Sequence, residues 1–369
     1  MNANALRRRL FCLPLLLLFA YAAWGDDSAA AIAAGGLVPR RETRIVMAKE
    51  VLRISETKVL VDYDFRNDSD QDVTTEVAFP VPPYQNDWDE QNVTAQSFAD
   101  FRLQIDGNPA SFQSEAKAVF KGKDVTKILT AHKIDVASFG HYEDFPGSSG
   151  GHRFKDLDRL PKTEQKQLGV LGLFDIEEEA GSANWTVHLQ YHWQQTFPAH
   201  SVVHIRHEYT PVVGFTQVNA GGVDEFSNQK STGGKEKDNS ESIKLLADFC
   251  VDTSFLDTIA SRLHTSERTA KTFDEKLGAG TAYPHWVDFI LTTANTWQRP
   301  IEDFTLIIER GNPETRQMQE LISFCSPQNA KVEKLDADHF QVHLSNFVPA
   351  AELHIGFFDV PVSNPVQKK

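Results

Sequence analysis

From Val59 the chain alternates, with Val59, Val61, Tyr63 and Phe65 on one face and Leu60, Asp62, Asp64 and Arg66 on the other. That two-residue period is the mark of a strand with one buried face. Asn67-Asp68-Ser69-Asp70 supplies turn chemistry, and Val73, Thr75, Val77 and Phe79 restart the period, so the two segments predict a β-hairpin. A second hairpin is expected where Phe101, Leu103 and Ile105 lead through Asp106-Gly107 to Phe112 and Phe120, because an Asp-Gly pair tolerates the positive φ of tight turns. The longest alternating run places Trp185, Val187, Leu189, Tyr191 and Trp193 inward, with His188 and His192 outward. Phe197-Pro198-Ala199-His200 then turns the chain into Val203, Ile205 and Tyr209, which predicts a third hairpin.

Between these strands the period changes. Val125, Ile128, Leu129 and His132 fall at helical spacing behind Asp124 as cap, and a second helical stretch from about Lys155 to Leu168 should break at Pro161. Asn219 to Glu241 is rich in Gly, Ser, Asn, Lys and Glu, a composition that cannot bury a core and predicts a mobile loop. Ile243–Phe249 and Phe255–Leu263 read as helices, the second capped by Asp252. Four more strands follow, around Val287, Leu306, Val342 and Ile355. The expected fold is mainly β: two antiparallel β-sandwich-like units with a small helical insertion near 124–175. The expected divisions are 26–218, a loop at 219–241, and a helical segment followed by a β domain over 242–369.

The N-terminus changes the expected compartment. Arg7-Arg8-Arg9 precedes an apolar run from Leu10 to Ala23 with small residues near Gly25, the order of a cleavable export signal over 1–25. A membrane-spanning helix needs about 20 apolar residues, so no stable membrane anchor is expected in the mature chain. Cys12 leaves with the signal, and the remaining pair, Cys250 and Cys325, reads as a disulfide in an oxidising periplasmic or secreted setting. Two buried free thiols are the alternative. Loss of the leader's three arginines and no acids takes the formal charge from −14 to −17. With no basic stripe, nucleic acid is not an expected partner.

Several segments resemble a known family. They are Asp26-Asp27-Ser28-Ala29-Ala30, Gly35-Gly36-Leu37, Phe65 to Thr74 with Val77-Ala78-Phe79-Pro80, Lys123-Asp124-Val125-Thr126, Thr196-Phe197-Pro198-Ala199 and His207 to Gly214. Phe249-Cys250-Val251-Asp252, Tyr283 to Trp297, Pro300 to Phe304 and Ser323-Phe324-Cys325 continue the likeness toward the C-terminus. Together they resemble the DUF4424 family of exported bacterial proteins of unknown function. The resemblance implies a bacterial source, a periplasmic location and the general architecture. It implies no catalytic residues.

Candidate chemistry is sparse. If the third hairpin forms with its turn near Pro198, His192 and His204 would face each other on the solvent side, and with a nearby carboxylate they could hold zinc or copper. His207 has the parity of Val203, Ile205 and Tyr209 and should be a hydrogen-bonded core histidine. Asp87, Asp89 and Glu90 beside Trp88 could ligate calcium or bracket a sugar, although such loops are usually only solvated. Trp185, Trp193, Trp286 and Trp297 could form a carbohydrate platform, yet aromatics on inward faces are normally core. No nucleophile elbow, zinc-protease helix or phosphate loop occurs, and no acid pair is singled out for glycoside hydrolysis. Catalytic residues and cofactors therefore remain unknown at this level. The expected function is a non-catalytic binding or structural module of the envelope, with another envelope protein or a glycan as partner. The rival is a periplasmic hydrolase or metal-dependent enzyme, which would need carboxylates or histidines converging in a pocket. A chaperone-like module offering a sheet edge is a third reading.

Overall fold

The computed structural model describes residues 28–33, 36–85, 91–92, 98–137, 142–144, 152–174, 183–224, 227, 248–272, 279–311 and 318–362. The leader at 1–25, the acidic loop Asp87–Glu90 and most of 219–247 lie outside them.

The chain is mainly β, in antiparallel sheets as the alternation predicts. Sheet I has seven strands, and its centre pairs Gln113–Phe120 with Thr186–Phe197, which pairs in turn with Val73–Pro80. Sheet II has eight, running His339–Phe347, Ile301–Glu309, Ile45–Ile54, Val59–Asn67, Ser201–Tyr209, Arg102–Ile105 between short edges. Sheet III has six, centred on Thr281–Phe289 and Leu353–Pro361 with Met318–Phe324 at an edge. Ile301–Glu309 lies parallel to Ile45–Ile54, so sheet II takes strands from both sides of the 219–241 segment.

Most inward residues of the predicted strands are buried, Phe112 being an exposed exception, yet the hairpin pairings differ from expectation. Val59–Asn67 lies in sheet II and Val73–Pro80 in sheet I, and Thr186–Phe197 and Ser201–Tyr209 are divided in the same way. The two segments pair with each other as one bent ribbon: Val59 faces Tyr209 and Asn67 faces Ser201, then beyond the bend Val73 faces Phe197 and Pro80 faces Gln190. Strands that switch sheets at a corner keep the same alternation as hairpin strands, because both sheets turn their apolar faces to one core. Periodicity therefore marks the inward residues and cannot mark the partner.

Side-chain bonds hold the bend. Asn67, fully buried, donates through Nδ2 to the carbonyls of Gln71 and Phe197, both at 2.9 Å, and its Oδ1 accepts from Ser69 N at 3.0 Å. Asp72 Oδ1 accepts from Ala199 N at 2.8 Å across the paired corners. The second expected hairpin forms only as a short one, Arg102–Ile105 with Asn108–Pro109, around Asp106 and Gly107 at φ 49° and 77°. From there the chain crosses to Gln113–Phe120 in sheet I.

One core joins the inner faces of the three sheets. Tyr63, Phe65, Phe79, Trp185, Phe197, Phe289 and Trp297 are all buried within it. Side chains of this size contribute roughly 1.5–3 kcal/mol each on burial. The far face of sheet III is covered by the helix Thr253–Thr269. Its Leu256, Ile259 and Leu263, spaced for one helical face, pack in a second core with Phe249, Phe358 and Val360. Asp252 caps that helix as expected, accepting from Phe255 N at 2.7 Å. In the insertion, helices span Thr126–Ala131 and Lys162–Val170, the latter starting directly after Pro161.

Candidate functional site

The proposed metal pair is not brought together. His192 sits in sheet I, opposite Ala78 and Gln113, and His204 in sheet II, opposite Asp64. The expectation failed because the presumed hairpin is a sheet-to-sheet corner. His192 Nδ1 lies 2.6 Å from Glu76 Oε1, while His204 lies between Asp64 at 2.9 Å and Asp62 at 3.3 Å. His188 is exposed opposite Lys117, and His200 at the corner pairs with Asp70 at 2.9 Å. Among the described residues, nine histidines lie within 3.3 Å of a carboxylate. Among the described residues no group of three or more His, Cys, Asp or Glu is arranged to hold a metal ion.

Titratable groups do converge where the turn after Ile45–Ile54 meets the inner face of sheet III. Glu56 in that turn places Oε1 2.6 Å from His285 Nδ1. Glu320 and Asp359 are direct neighbours across the Met318–Phe324 and Leu353–Pro361 ladder, and Asp359 also faces Tyr283. Gly311 N donates to Glu320 Oε1 at 2.9 Å. A Cβ at position 311 would stand 2.9 Å from Glu320 Oε2 and 3.4 Å from Glu56 Oε2, so the two carboxyl groups approach over a bare glycine. Phe215 flanks the group, its ring centroid 5.3 Å from that of His285 and 6.3 Å from that of Tyr283.

Burial and the neighbouring Glu56 carboxylate push Glu320 up to about 8. Burial, then Glu56, also raises Asp359. For His285 burial opposes the charge, but the hydrogen bond to Glu56 prevails and its pKa lies above the ordinary value. Chemically the group is a proton-sharing carboxyl pair with an imidazole at one end. Glu320 is only 2% exposed. A readable signal existed: the runs Met318-Glu320-Ile322-Phe324, His285-Val287-Phe289 and Ile355-Phe357-Asp359 each put an ionisable group at an inward parity. The polar positions of Met318–Phe324 mask its alternation in the sequence.

A cavity of about 650 Å³ lies elsewhere, on the helical insertion, lined by His132, Thr163, Lys166, Gln167, Leu168, Val170 and Leu171. Val170 is 80% exposed and Leu171 53%. The tryptophans form no platform: Trp185, Trp193 and Trp297 are core, and Trp286 packs over Gly214, where a Cβ would come within 1.8 Å of its ring. His207 is wholly buried, as its parity predicts. Cys250 and Cys325 form the expected disulfide. The calcium loop at Asp87, Asp89 and Glu90 lies outside the described residues. No described helix is long and apolar enough to cross a membrane.

No curated protein matches the chain. Among solved structures, a crystal structure from Legionella pneumophila, named provisionally as a nutrient binding protein, is similar at 15% identity. The match covers 90% of this chain and 70% of that one, with a TM-score of 0.38. A family model described as a domain of unknown function, DUF4424, matches residues 25–355, in keeping with the motifs running from Asp26 to Cys325. The chain belongs to the DUF4424 family.

Proposed function

We propose that this is an exported, non-catalytic binding module that works outside the cytoplasm. One observation carries the reading: Glu320, at the centre of the convergent ionisable groups, is only 2% exposed and engaged with half-buried neighbours, while an open cavity on the helical insertion presents the exposed Val170 and Leu171 beside His132, Thr163, Lys166 and Gln167. Catalysis needs reactive groups and access in one place. Binding needs only the access. The exposed Val170 and Leu171 favour another envelope protein over a glycan as the partner. The disulfide suits an oxidising compartment.

The test is a photo-crosslinking residue placed at position 170 in cells secreting the full chain. A discrete crosslinked partner, lost in a Leu171→Asp background, is the expected result. A second reading, a metal-independent hydrolase, is favoured by Glu320 being pushed up to about 8 beside Glu56. Turnover of ester, glycoside or peptide substrates by purified protein, abolished by Glu320→Gln, would replace the binding reading with that one.

A further inference from the structure

The Glu56 cluster lies between elements of two different sheets, and that placement has a use apart from any ligand. Glu56 belongs to the turn that links two strands of sheet II, closed by Ser55 N donating to Lys58 O at 2.9 Å. His285, Glu320 and Asp359 belong to three adjacent strands of sheet III. Gly311, just beyond the end of Ile301–Glu309, supplies the amide that fixes Glu320. The polar contact of this turn with sheet III therefore runs through ionisable side chains.

The groups facing one another are Glu56 from the turn, His285 from Thr281–Phe289, Glu320 from Met318–Phe324 and Asp359 from Leu353–Pro361. Tyr283 stands opposite Asp359 in the ladder. Arg310 does not neutralise them: its guanidinium donates to the Ala337 carbonyl and lies over the Phe340 ring. Asp359 Oδ1 is buried and has no hydrogen-bond partner among the described residues. Three carboxyl groups and one imidazole thus meet with no Lys or Arg partner shown among them. The arrangement is favoured while it keeps protons, because each carboxyl proton lost adds a negative charge that burial and the neighbouring carboxylates disfavour, and loss of the His285 proton removes the positive charge that offsets Glu56.

We infer that Glu56, His285, Glu320 and Asp359 form a proton-held latch between the Ser55–Lys58 turn of sheet II and sheet III, tight in mildly acidic surroundings and loosened as the medium becomes alkaline. The direction follows from linkage. Glu320, Asp359 and His285 all bind a proton more tightly in the closed state than in an opened one. Closure is therefore weakened as pH rises through the window between the open and closed values, for Glu320 from about 4.5 to about 8. Above that window the effect levels off. One linked proton changes the opening equilibrium by up to about tenfold per pH unit.

Hydrogen exchange on the purified full mature chain, expressed as protection factors to remove the intrinsic pH dependence, tests this. Between pH 6 and pH 8 the amides of Gly311 and Ser55 should lose roughly tenfold to hundredfold protection. The Val81 amide, bonded to the Leu189 carbonyl in sheet I, should keep its protection. In Glu320→Gln, whose amide imitates the protonated acid, the loss at Gly311 should shrink at least about tenfold. Glu56→Gln, which removes the opposing charge and keeps Glu320, should raise protection at pH 8 and gives a second reading if the first variant folds poorly. Equal losses in wild type and both variants, unchanged wild-type protection, or a parallel fall at Val81 would each overturn the latch.

Discussion

His207 is an imidazole inside an aromatic shell, with the ring centroids of Phe79, Trp193, Phe101 and Tyr63 at 4.7, 5.2, 5.3 and 5.5 Å. Burial pushes its pKa down to about 3. An unfolded histidine titrates near 6.5, so between those values the unfolded chain holds a proton that the native one does not. Stability is complete above the upper value and falls as pH drops through the window, by up to about 1.4 kcal/mol per pH unit. Because Glu320 titrates with the opposite sign over part of this range, the readout is a difference: urea unfolding of wild type and of His207→Leu should diverge by up to about 1.4 kcal/mol per pH unit between about pH 4 and pH 6, the variant losing the increase with pH that wild type has. An unaltered slope would assign the acid sensitivity to other groups. Glu320 has the opposite sign, losing its contribution as pH rises toward about 8, so these two sites bracket a stability optimum between them. Inward parity was enough to place His207 in the core from sequence; the identity of its ring neighbours was not readable, since they come from strands of sheets I and II and from Phe101, just before Arg102–Ile105.

Among the elements, the bent ribbon accounts for the difference between the expected hairpins and the observed pairing. Its corner depends on Asn67, whose amide binds a carbonyl from each arm, Gln71 beyond its own bend and Phe197 on the partner strand. Asn67→Ala takes a donor from the buried Phe197 carbonyl, whereas the exposed Gln71 carbonyl keeps Ser69 Oγ, and is expected to cost about 1–3 kcal/mol. Chemical denaturation would measure it, and an effect within about 0.5 kcal/mol, the usual surface range, would show that the corner is held elsewhere. Three sheet ends are blunted in ways that oppose strand pairing between molecules. Sheet II ends in the two-residue strands Asn108–Pro109 and Glu333–Lys334, and one edge of sheet I is Lys123–Asp124. Short charged or proline-bearing edges are poor templates for another chain. That counts against the reading in which a sheet edge receives a partner strand, at least at these three places.

Across the whole molecule, the disulfide closes a separation of 75 residues and ties the approach to the Thr253–Thr269 helix to the end of Met318–Phe324. Removing it by Cys250→Ala with Cys325→Ala should lower stability by about 4 kcal/mol in the chain-entropy model. Thermal melts of the double variant, compared with wild type with and without reductant, would check this; equal melting in all of them would show that the covalent link adds nothing. Inward residues, the helix cap at Asp252, the break at Pro161 and the cysteine pairing were all legible in the sequence, because each depends on local period, local backbone chemistry or simple parity of number. Strand partners, the sharing of sheet II between distant segments, the separation of His192 from His204 and the meeting of Glu56 with Glu320 were decided only in the tertiary structure. The physical reason is that alternation records whether a side chain meets water or the core, and every strand bordering a common core carries that same record. Which strand lies beside which is set by the packing of the whole.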